Sequence, residues 1–85
     1  MNERDALCQA IENYRARWHA MGWRLAMYTP EALAAYADKR SGGWVTVTKE
    51  LKVLAGLADM PEGRCEVLRA AARFAETQAK AEVTP

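Results

Sequence analysis

Apolar residues recur through the first third of the chain at Leu7, Ile11, Tyr14, Trp18, Met21, Leu25 and Tyr28. The steps alternate between four and three, which keeps all seven on one face of a helix. This predicts one long helix over about residues 3–27, running through Gly22 at a cost of about 1 kcal/mol relative to alanine. A break at Gly22 is the alternative. Glu3 and Asp5 fall in the first turn, where carboxylates suit the positive end of the helix dipole.

The stretch "YTPEALAAYADKRSGG" predicts a second helix over about residues 30–41. Thr29 is placed to cap it, Pro30 has the fixed φ suited to a first helical position, and Glu31 follows in the first turn. Leu33, Tyr36 and Ala37 form its expected buried stripe. Lys39 and Arg40 complement its negative end, and Gly42–Gly43 ends it. "WVTVT" then alternates like a strand, but it is short and finds no partner strand elsewhere. Trp44, Val47, Leu51, Leu54 and Ala58 fit helical spacing instead, so a third helix is expected over about residues 45–58. Asp59 and Pro61 punctuate the chain. A fourth helix is expected over about residues 61–79, burying Cys65, Leu68, Ala72, Ala75 and either Ala71 or Phe74, with a frayed tail beyond it. The expectation is therefore an all-α fold, a compact small bundle of about four helices whose first helix is long, making one domain over residues 1–85.

Composition narrows the function. Twelve basic residues against eleven acidic ones give a net charge of +1. A polyanion-binding protein usually carries a clear basic excess. The largest local surplus, +2, lies between Ala35 and Ala55, where Lys39, Arg40, Lys49 and Lys52 face Asp38 and Glu50. The opening "MNERDALCQA" has charge and no apolar h-region, so no secretory signal is expected and a cytoplasmic location follows. No run approaches the roughly 18 apolar residues of a membrane span. Cys8 and Cys65 belong to no C-x-x-C motif and are expected as two buried free thiols near opposite ends of the bundle.

Catalytic and metal chemistry lack their parts. A zinc site needs three or four converging ligands, and one histidine, His19, with two distant cysteines does not supply them. Ser41 sits in a glycine turn without a base and an orienting group beside it. "RSGG" lacks the Gly-Lys-Ser/Thr ending of a phosphate loop and follows no strand. Glu62 and Glu66 share a helix face with Arg69 and Arg73, the pattern of solvated ion pairs. The sequence thus points to a protein without enzymatic activity, metal or cofactor.

Two readings remain. In the first, the chain is a protein-binding module. Trp23 lies off the main stripe of the first helix, and with Met27, His19, Arg24 and Arg17 it offers the residue types that dominate interface energetics. Its bland counterpart is a Trp23 that caps the bundle end as extra core. A homodimer through the long helix would serve the same surface. In size, alanine- and arginine-rich composition and lack of catalytic parts, the chain resembles the small accessory proteins of phages and mobile elements. Many of those bind and block a host protein, so the resemblance implies an inhibitor with a protein partner. In the second reading, the 30–58 helix pair is a helix–turn–helix, with Lys39, Arg40, Thr46, Lys49 and Lys52 on DNA. Glu50 and Val53 on the reading face and the small number of basic residues weigh against it.

Overall fold

The computed structural model describes residues 2–18, 25–57 and 62–83. Four α-helices and one 3-10 turn make up the described chain, with no strand among the described residues. The all-α expectation holds, and α4 (Glu62–Val83, 22 residues) is longer than α1 (Glu3–Trp18, 16 residues). The expected single helix to residue 27 fails at its end, because Leu25–Tyr28 form a 3-10 turn. Leu25 is buried there and Tyr28 packs against the core, so the apolar spacing is satisfied without a continuous α-helix. Gly22, the alternative break, lies outside the described residues.

The start of α1 and both ends of α2 and α3 have local causes. The Asn2 side chain accepts from the Asp5 N–H at 2.8 Å and so caps α1. Thr29 caps α2 (Pro30–Lys39) by accepting from the Ala32 N–H, with Pro30 in the first turn as the sequence predicts. The α2 helix stops at Lys39, two residues early, where Arg40 takes an extended backbone. Gly42, in the left-handed region at φ +88°, opens α3 (Gly43–Ala55), which begins two residues before expectation. Thus "WVTVT" is helical, and the Thr48 hydroxyl, buried in the helix, donates back to the Trp44 carbonyl at 2.8 Å. Gly56 ends α3, its N–H turned back on the carbonyls of Lys52 and Val53, short of the expected residue 58.

The core gathers Leu7, Ile11 and Tyr14 from α1, Leu33 and Ala37 from α2, Trp44, Val47 and Leu51 from α3, and one broad side of α4. α4 is the central element, packed on α3 and on α1. It buries both Ala71 and Phe74, together with Val67 and Ala70, where the sequence pattern predicts a single stripe. Burial on two sides needs small residues, and the alanines supply them. Trp44 meets Phe74 edge-to-face, ring centroids 5.5 Å apart. α3 and α4 run antiparallel: Lys52 pairs with Glu76, and the Glu82 carboxylate lies at the first turn of α3, 3.8 Å from where a Cβ on Gly43 would sit. A carboxylate at a helix N-terminus is stabilising. That contact and the Lys52–Glu76–Lys80 ion pairs explain why α4 continues to Val83 where fraying was expected.

Two side chains reverse their expected burial. Tyr36 is 40% exposed, and Cys8 is exposed while Cys65 is buried. Cys8 follows Leu7, which points fully inward, and one residue turns the helix by about 100°. Tyr36 stands about 60° round the helix from Leu33, at the edge of the buried stripe.

Candidate functional site

α2 packs mainly on α3 and the 3-10 turn, and a groove of 430 Å³ runs between these three elements. Its floor is apolar: Leu33, Val47 and Leu51 at the base, with half-buried Tyr28 and Leu54 beside them. Met27, 54% exposed, closes one end, and Ala32 and Ala35 form a low wall on α2. Lys39, Tyr36 and Glu50 supply the polar rim. A volume of this size with an apolar lining and a few polar groups is typical of binding clefts.

One rim is a fixed cluster. The Tyr36 hydroxyl donates to Glu50 Oε2 at 2.7 Å, Arg40 donates to Glu50 Oε1, and the Arg40 guanidinium stands 5.3 Å over the Tyr36 ring. The Tyr36 hydrogen bond and Arg40 hold the Glu50 carboxyl below its ordinary range, and the same hydrogen bond raises the Tyr36 phenol. A lowered carboxyl adds stability above the ordinary carboxylate range and loses it as pH falls through the lowered value. Solvent exposure keeps that contribution small. At the back of the groove, burial raises the Tyr28 phenol against the opposing charge of Arg64.

The residues expected to bind a partner divide. Met27 is exposed and lines the groove, and Arg17 is exposed on α1. Trp23, His19 and Arg24 lie outside the described residues. Tyr28, Tyr36, Leu54 and Glu50 are groove residues that the sequence reading does not single out for this role. Each stands at the edge of a helical stripe or in the 3-10 turn, so periodicity alone assigns it to core or surface and misses the border between them.

The candidate DNA contacts are mostly engaged within the chain. Arg40 is held by Glu50, and Lys52 pairs with Glu76 at 3.5 Å. Thr46 donates its hydroxyl to the Ser41 carbonyl at 2.6 Å. Lys39 faces the α2–α3 groove, while Lys49 joins Lys52 and Lys80 around a shallower groove of 400 Å³ between α3 and α4, with Glu76 among them. Among the described residues no three His, Cys, Asp or Glu side chains converge, and no helix is long and apolar enough to cross a membrane. No family model, curated protein or solved structure matches this chain.

Proposed function

We propose that the protein is a non-catalytic protein-binding module whose docking surface is the groove between α2, α3 and the 3-10 turn. The observation that supports this reading is an apolar floor left open among the described residues between two helices, with exposed Met27 at its end and a polar rim of Lys39, Tyr36 and Glu50. Methionine and tyrosine bordering an apolar patch are among the residue types that anchor interfaces. Blocking a host protein, the activity implied by the resemblance to phage accessory proteins, is a role that such a groove would serve, acting from the cytoplasm.

Affinity capture from the native host tests it. A tagged wild-type chain is expected to retain a specific protein that Met27→Asp with Lys39→Glu does not. Both sites are exposed, so thermal melts of the two preparations should agree within a few degrees. Equal capture by the double variant would remove the groove from the reading.

A second reading, duplex DNA, draws support from the arrangement of α2, a three-residue turn containing left-handed Gly42, and α3. It is the weaker of the two, because Arg40 and Lys52 are ion-paired and phosphate contacts supply most DNA affinity. Duplex binding by the same preparation at physiological salt, measured by fluorescence anisotropy and lost on Lys49→Ala, would put it first.

A further inference from the structure

Resting on the groove reading above, we infer that the occupant is an amphipathic helix of another protein that carries a carboxylate beside its apolar stripe, with that carboxylate seated on Lys39. The groove walls are themselves helical. Ala32, Ala35 and Lys39 on α2, and Val47, Leu51 and Leu54 on α3, repeat at steps of three and four. Such rows form ridges spaced to interdigitate with those of a third helix. The small side chains of Ala32 and Ala35 let that helix approach closely, and laying an apolar helix face into a groove is a recurrent mode of peptide recognition.

Charge decides what the helix must carry. Glu50, the acidic group on the rim, is occupied by Arg40 and by the Tyr36 hydroxyl. Lys39 is exposed and makes no ion pair among the described residues. The rim therefore presents a positive charge that a partner carboxylate complements and a partner lysine opposes. The outer face of α3 in a second copy fits poorly. There the exposed apolar residues Val45 and Val53 flank Lys49 at steps of four, so that face would bring a lysine to Lys39. Among the described apolar faces, charge therefore favours a different chain as the occupant.

The test is a pair of synthetic helical peptides of about 16 residues, long enough to hold a helix once bound. Both carry leucine at i, i+3, i+4 and i+7; one has glutamate flanking the stripe and the other lysine at the same place. Each is titrated into the ¹⁵N-labelled full chain. The expected result is perturbation of the Ala32, Ala35 and Leu54 amides, with the glutamate peptide binding about two- to fivefold more tightly, within the range of one exposed ion pair. In Lys39→Glu the preference reverses. Equal affinity of the two peptides would overturn the charge assignment while leaving the groove as a docking surface. Perturbations mapping to another face, or no perturbation by either peptide, would overturn the inference itself, while host capture still decides the broader reading. Sedimentation showing a dimer whose formation moves the same amides would also overturn it, by making a second copy the occupant.

Discussion

At Gly42 the backbone turns left-handed, φ +88°, and a Cβ placed there would overlap the Thr46 hydroxyl. Conformation and space therefore both exclude a side chain. Gly42→Ala is expected to destabilise the fold by more than about 1 kcal/mol in urea denaturation. Adding Thr46→Ala removes the overlapping hydroxyl but not the positive φ, so the double variant should lose less than the sum of the two single losses. Strictly additive losses would show that the overlap is relieved without cost. The Gly42–Gly43 pair is legible in the sequence as a helix stop, and Thr29 and Pro30 are legible as a helix start, because their chemistry is local. Tyr36 is not. Its hydroxyl finds Glu50, fourteen residues on in the chain, and Glu50 in turn accepts from Arg40.

Among the helices, α2 contributes least to the core, burying Leu33, Ala37 and its leading Pro30. α4 contributes most, with eight residues from Cys65 to Ala75 buried. Local opening follows the amount of buried apolar surface. Amide hydrogen exchange in α2 is therefore expected to be faster than in the middle of α4. Equal protection across the two would mean that α2 opens only with the whole molecule. Helical spacing reveals that all four helices exist, since each carries a stripe of its own. It does not reveal that α4 has two buried sides, because alanine fits a helix surface as readily as a core. Nor does it separate the end of the first stripe from α1, since a 3-10 turn at Leu25–Tyr28 meets nearly the same apolar spacing.

For the whole molecule, sequence distance sets an order of assembly. α3 and α4 follow one another and pack antiparallel, whereas α1 finds α4 across the length of the chain. Arg64 Nε reaches the Tyr14 hydroxyl, 3.5 Å away and 50 residues apart in sequence. Closing that loop costs entropy before its contacts are gained. The α3–α4 pair should therefore form the folding nucleus, with α1 docking after it. Leu7→Ala, at a fully buried site, is expected to cost about 2–5 kcal/mol and to appear chiefly as faster unfolding in stopped-flow chevrons. Val47→Ala should instead slow folding. A Leu7→Ala loss that appears wholly in the folding rate would place α1 in the nucleus. The groove was beyond sequence reading for the same reason: it exists only where two helices and a turn come together, and no single stretch encodes it.

The division of labour between α4 and α2 also bears on how such a protein can diverge. Ala70, Ala71, Ala72 and Ala75 of α4 are enclosed, and any larger side chain there would overpack the core. Ala35 and Lys39, on the outer wall of α2, stand in solvent and touch the groove, and Leu33 and Ala37 hold the helix in place without them. If the groove docks a partner as proposed, substitution on that wall would reshape what it accepts at little cost to folding. A lineage of this chain could then change its target through α2 while the enclosed face of α4 stays as it is.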